Sequence, residues 1–167
     1  VVTADHETGG MSLGNRNMKY QSNLAILVNQ KVSLDKMIQL ENNFKKELTS
    51  NKQKDFEKML TIINENFGLG DTTKIALTDE DLAQLHEAFQ VSMNSDKQEN
   101  ILSKKLIALM SEKAGIGWTT SSHTGVNVPV FAVGPGAEQF SGYIDNTDIP
   151  KIMEQLMGIK EEVATAK

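Results

Sequence analysis

Val1-Val2-Thr3-Ala4-Asp5-His6-Glu7-Thr8-Gly9-Gly10 opens the chain with a short apolar run, an acid beside an imidazole, and a glycine pair. The first four residues read as the middle or end of a buried strand, and Gly9-Gly10 marks a sharp turn directly after Asp5-His6. Ligand and catalytic groups in α/β folds gather at the carboxyl ends of sheet strands. Oxygen and imidazole donors suit Zn²⁺. On a regular strand Asp5 and His6 would point to opposite faces. They can share one ion where the strand breaks into a loop, and Glu7-Thr8-Gly9-Gly10 permits that break. On these grounds a metal site and an ordinary strand end both stand open. No initiator Met or signal sequence is visible here, and domains rarely begin inside a core strand. The expectation is a piece cut from a longer protein.

Moving outward, residues 1–33 form a strand-containing flank, with Leu24-Ala25-Ile26-Leu27-Val28 as a second short apolar run, consistent with a strand buried on both faces. Residues 34–114 are helical in pattern. Leu34, Met37, Ile38, Leu40 and Phe44 recur at helical spacing after Ser33 as N-cap. Phe56, Met59, Leu60, Ile63 and Phe67 follow, stopped by Gly68. Thr78-Asp79-Glu80-Asp81 resembles a capping box before Leu82, Leu85 and Phe89. Ile101, Leu102, Leu106, Leu109 and Met110 mark a fourth helix that closes near Gly115. Four amphipathic helices predict a helical hairpin array packed on itself or on a sheet. Residues 115–158 return to β-type sequence. A Val-rich strand over residues 126–133 ends at Gly134-Pro135-Gly136, and Asn146-Thr147-Asp148 caps a last helix burying Ile149, Ile152, Met153 and Leu156. Residues 159–167 read as a frayed polar tail. The two β-type flanks are natural sheet partners, since the helical insertion can loop out and return.

With 167 residues, 39% hydrophobic and 23% charged, the chain has the composition of a globular protein with room for a sizeable core. A net charge of −5 argues against nucleic acid as a partner, and the lysines around Lys45, Lys46, Lys52 and Lys54 are interspersed with acids. No apolar run approaches the roughly 20 residues of a membrane helix. There are no cysteines, which excludes disulfides and thiolate metal sites.

The 3 histidines have different settings. His86 lies in the third helical pattern between Leu85 and Glu87 and reads as an exposed or half-buried helix residue. His123, in Ser121-Ser122-His123-Thr124-Gly125, sits in a small-residue loop where spacing by itself suggests a solvent-facing side chain. No nucleophile elbow, Walker loop or dinucleotide fingerprint is present.

The run Val2-Thr3-Ala4-Asp5-His6-Glu7-Thr8-Gly9-Gly10 resembles the metal-binding segment of bacterial alkaline phosphatases. Ser122-His123-Thr124-Gly125, followed by Val128-Pro129-Val130, Gly134-Pro135-Gly136 and Phe140-Ser141-Gly142, resembles that family's later histidine segment in the same order. The helices between match nothing distinctive. The resemblance implies the C-terminal part of an α/β/α sandwich with a large central sheet. It further implies two Zn²⁺ ions and one Mg²⁺ in the parent, and hydrolysis of phosphate monoesters through a phosphoserine intermediate. It places Asp5 and His6 on the zinc that activates the serine, and His123 on the zinc that activates the attacking water. Glu7 and Thr8 receive no ligand role. The resemblance also implies a periplasmic or secreted parent, capable of forming a homodimer.

The serine nucleophile, the phosphate-clamping arginine, the magnesium ligands and the other zinc ligands find no match here. Arg16, the single arginine, lies in an Asn15-Arg16-Asn17 turn unlike that clamp. A zinc site needs about three or four ligands, so the chain by itself is expected to bind zinc weakly and to hydrolyse nothing. The remainder of the catalytic domain is then its partner. Two other readings stand beside this one. The helical stretch could be a binding or structural module on a scaffold of flanks, or the reaction could be that of a related sulfatase, phosphodiesterase or phosphoglycerate mutase.

Overall fold

Ser33, Asn51 and Thr78 each offer a side-chain oxygen to the first turn of a helix that begins at the next residue. In this computed structural model residues 1–19, 21–95 and 99–159 are described. They divide into two compact units, Ser12–Gly117 and the paired chain ends, residues 1–11 and 118–159. The polar tail expected over 159–167 lies, beyond Ile159, outside the described residues.

The Ser12–Gly117 unit is built from four helices, α1 (Leu34–Lys45), α2 (Lys52–Phe67), α3 (Asp79–Asn94) and α4 (Ile101–Ala114). Their limits follow from local chemistry. The Ser33 hydroxyl accepts from Lys36 N–H at 3.2 Å, and the Asn51 carbonyl oxygen from Lys54 N–H at 3.0 Å. Thr78 and Asp81 complete a reciprocal capping box, with Thr78 N–H donating to Asp81 at 2.8 Å. Such caps are worth about 1 kcal/mol each. Gly68 and Gly115 end α2 and α4 in the left-handed region, φ +69° and +79°, where a side chain would be strained.

The apolar stripes meet in one core that includes Met37, Met59, Ile63, Phe67, Leu85 and Leu106, each fully buried. Phe56 lies 5.3 Å from Phe89 and takes the His86 ring on its edge at 4.6 Å, so His86 is a half-buried packing residue as expected. Helix α4 is capped by its neighbours. Its N-cap residue, Asn100, makes no side-chain cap bond. The Leu102 N–H instead donates to the Ser92 hydroxyl of α3 at 3.0 Å, and Ser103 N–H to the buried Glu41 carboxylate of α1 at 2.9 Å. Two short antiparallel strands, β1 (Ser12–Leu13) and β2 (Ile116–Gly117), close the unit, with Leu13 opposite Ile116.

Lys113, near the end of α4, reaches Asp81 at the start of α3 with a 2.7 Å ion pair. Partial burial pushes the Asp81 carboxyl up, but the Lys113 ammonium and the Thr78 N–H and hydroxyl outweigh it, so the net displacement is downward. A carboxyl held lower in the folded state adds stability above its unfolded value and loses it as pH falls through the folded one. Asp81→Asn should therefore lower the unfolding free energy at pH 7 by about 1 kcal/mol, on the scale of caps and single ion pairs, read as a fall in the urea midpoint. That difference should shrink as pH falls below the ordinary Asp value of about 3.9 and through the lower folded one, as circular dichroism can follow.

Three sequence expectations are corrected. Residues 24–28 do not form a strand. Leu24–Asn29 is a 3₁₀ helix that buries Ile26 and leaves Val28 82% exposed. Periodicity cannot distinguish a short apolar run in a strand from one in a buried turn. Val1–Ala4 is not a buried strand in this chain. Val2 and Phe131 exchange an isolated antiparallel pair of bonds of 2.7 and 2.8 Å, and both side chains are exposed. The Val-rich stretch 126–133 runs without a regular ladder among the described residues, apart from that same bridge. Pro129 removes a donor there, and an extended segment becomes a strand only where a neighbour supplies the ladder. So the flanks do pair, through the short β1–β2 ladder and this one bridge.

The last helix, α5 (Asp148–Met157), starts where expected but without a side-chain capping bond and with no buried stripe. Thr147 makes no side-chain cap; Asp145 accepts from Thr147 N–H at 2.9 Å and from its hydroxyl at 2.7 Å. Met153 and Leu156 stay about two-fifths exposed, and Ile149 and Ile152 are half-buried. Among the described residues no helix is long and apolar enough to cross a membrane.

Candidate metal centre

The chain bends at Asp5-His6, where the sequence requires the strand to break. Gly9 and Gly10 follow with φ +133° and +63°, conformations that a β-carbon disfavours. Space forbids a side chain as well. A β-carbon on Gly9 would lie 2.9 Å from the Thr120 carbonyl oxygen, and one on Gly10 2.7 Å from the Thr119 hydroxyl. The Gly9 carbonyl accepts from Thr119 N–H at 3.0 Å and Thr120 N–H at 3.2 Å. The glycine turn is thereby laced to the segment that leads into His123.

Within this frame His6 and His123 meet ring to ring, their centroids 3.6 Å apart and their planes tilted by 31°. The Asp5 carboxylate places Oδ2 3.3 Å from His6 Nε2. The structure thus brings together all three residues singled out from sequence. His6 Nδ1 lies 2.8 Å from the Glu7 carbonyl oxygen. A carbonyl oxygen can only accept, so Nδ1 carries the proton and donates. In the neutral ring Nε2 is then a lone pair, and it faces a carboxylate oxygen. Two electron-rich atoms at that distance suit a cation between them, a proton or a metal ion.

The donor set tests well against Zn²⁺. Two ligands each about 2.0–2.1 Å from a tetrahedral ion stand roughly 3.3–3.4 Å apart, which matches the Asp5–His6 separation of 3.3 Å. Metal-bound histidines commonly give their other N–H to a carbonyl or carboxylate, as His6 gives its to Glu7. In number the donors fall short. Among the described residues no group of three or more His, Asp or Glu side chains is arranged to hold a metal ion. The site opens on a cleft of about 820 Å³ within the same unit, lined also by Phe131, Phe140 and Tyr143.

Glu7 and Thr124 are the residues that sequence reasoning missed. Glu7 accepts from Gly9 N–H at 2.8 Å, from Gly10 N–H at 2.5 Å and from the Thr124 hydroxyl. The Thr124 hydroxyl, then the Gly9 amide, with smaller help from Gly10 and Thr8, holds the Glu7 carboxyl well below the usual range, at about 2, against the modest effect of desolvation. The available signal was position. Glu7 directly follows one candidate ligand and Thr124 directly follows the other.

The alkaline phosphatase family model matches residues 1–159. The chain is 33% identical to alkaline phosphatase 3 of Bacillus subtilis (strain 168) over 152 residues, covering 90% of this chain and 28% of that protein. It is 29% identical to alkaline phosphatase 4 of the same organism over 161 residues, covering 94% and 29%. Its backbone superposes on the crystal structure of a cold-active alkaline phosphatase from the psychrophile Shewanella sp. with a TM-score of 0.62 and 27% identity. That match covers 95% of this chain and 33% of the other. The chain therefore spans under a third of the curated relatives' length.

Proposed function

This chain belongs to the alkaline phosphatase family, and from that premise we propose that it supplies part of the metal centre of a zinc-dependent phosphomonoesterase. The observation that carries the proposal is the facing pair of acceptors, Asp5 Oδ2 and His6 Nε2, with the His6 tautomer held by Glu7. Asp5 and His6 would hold one zinc, and His123 would serve a second. When bound, the two ions supply electrostatic stabilisation to the entering and leaving oxygens of an in-line displacement at phosphorus. Asp5 contributes negative charge that favours the cation, and the Glu7 carbonyl keeps the Nε2 lone pair of His6 free for it. His123 packs its ring against His6 and keeps that neighbour in place.

The serine that would carry the phosphoryl group, the magnesium ligands and the remaining zinc ligands belong to parts of the whole protein that this chain does not supply. The catalytic domain would be an α/β/α sandwich, with residues 34–114 as a helical insertion. Phosphate monoesters would be its substrates, a homodimer its assembly, and the periplasm or cell exterior its location. The chain's coverage of its relatives and its short count of donors support this reading.

The test compares the whole protein with this chain. The whole protein should turn over p-nitrophenyl phosphate, lose that activity to a chelator, and prefer monoesters to diesters and sulfate esters. The chain by itself should show no turnover above a His6→Ala control. Turnover by the chain above that control, or a preference for diesters or sulfate esters, would overturn the proposal.

A further inference from the structure

Glu7 does more than close its own turn. Its two oxygens are already taken: Oε1 by the Gly10 amide, and Oε2 by the Gly9 amide and the Thr124 hydroxyl. A carboxylate so occupied is poorly placed to ligate a metal, and it is well placed to clamp one segment to another. Thr124 lies 117 residues further along the chain and is covalently next to His123, as Glu7 is next to His6. The Gly9 carbonyl laces the two segments at Thr119 and Thr120. The Thr119 hydroxyl adds a bond to the Gly10 carbonyl at 3.1 Å, and the Glu7–Thr124 bond is a further tie, next in sequence to both imidazoles.

We propose that Glu7 and Thr124 form a strap that positions His6 and His123 for metal binding, with Glu7 a positioning residue rather than a ligand. This rests on the reading of Asp5, His6 and His123 as zinc ligands. A bond confined to Glu7 and its glycine amides would serve the turn alone. The Thr124 hydroxyl couples that turn to the other histidine's loop, and removing one hydroxyl should loosen the pair without touching either ring.

The first measurement needs no metal. In the zinc-free 167-residue chain, proton cross-relaxation between the His6 and His123 rings should be visible in the wild type and in Thr124→Ser, and lost in Thr124→Val and Glu7→Gln. The second is zinc affinity in the whole protein by competition with a chelator. Thr124→Val and Glu7→Gln should each weaken it about 10- to 100-fold, the usual cost of removing an outer partner. The double variant should be no weaker than Glu7→Gln alone, because that change already removes the bond that Thr124→Val removes, and Thr124→Ser should bind like the wild type. Unchanged affinity in Thr124→Val with a lowered melting temperature, or additive losses in the double variant, would overturn the strap. Zinc retained by Asp5→Ala would instead overturn the ligand reading itself, a result the Thr124 variants cannot mimic.

Discussion

In the whole protein, His6→Ala is expected to lower kcat/KM for p-nitrophenyl phosphate by at least about a hundredfold and to reduce bound zinc. Loss of an outer partner alone commonly costs 10- to 100-fold, and His6 is proposed as a direct donor. The expectation follows from the geometry at Nε2, 3.3 Å from the Asp5 carboxylate and oriented by the Glu7 carbonyl at 2.8 Å. Removing the imidazole leaves Asp5 without the donor that shares its cation. His123 also loses the ring packed against it at 3.6 Å. Asp5→Ala and His123→Ala should act in the same direction. His86→Ala is the natural control, since that ring packs on Phe56 in the helical unit, with its Nε2 3.4 Å from the Gln90 amide. If the helices are the working surface and the flanks a scaffold, activity survives the loss of Asp5 and His123. Full activity in His6→Ala, with wild-type zinc content, would reject the metal-centre reading.

The second large effect concerns stability. Phe67→Ala should cost about 3–5 kcal/mol, the range for truncating a fully buried aromatic side chain, read as a fall in the urea midpoint. Phe67 is the last residue of α2, completely buried, and Gly68 then turns the chain away. The cavity left there cannot collapse easily, because that turn is already crowded. A β-carbon at Gly68 would lie 2.9 Å from the Asn29 side chain. Phe131→Ala is the informative contrast. That ring is 65% exposed, and substitutions away from packed features stay within about 0.5 kcal/mol. Equal losses for the two variants would show that the core does not lie where the burial places it.

The helices were legible because their signals are local. Ser33, Asn51 and Thr78 satisfy amide groups no more than three residues away, and Gly68 and Gly115 stop helices through their own backbone freedom. Ser33 and Thr78 announce their helices in the sequence; Asn51, before the polar run Lys52-Gln53-Lys54, does not. The strands were misread because Val1–Ala4 and residues 126–133 carry strand composition but meet each other through a single bridge. Composition states a willingness to pair and says nothing of whether a partner is at hand.

The candidate site divides in the same way. The sequence by itself determined the chemistry on offer, an acid and an imidazole before a glycine turn and a second imidazole in a small-residue loop, and it determined that four helices lie between them. The tertiary structure decided that His6 and His123 touch, that His6 presents Nε2 to Asp5, and that Glu7 holds Thr124 across 117 residues. The physical reason is range. Caps and turns are settled by bonds a few residues long, whereas facing lone pairs and shared hydroxyls exist only after distant segments have been brought together.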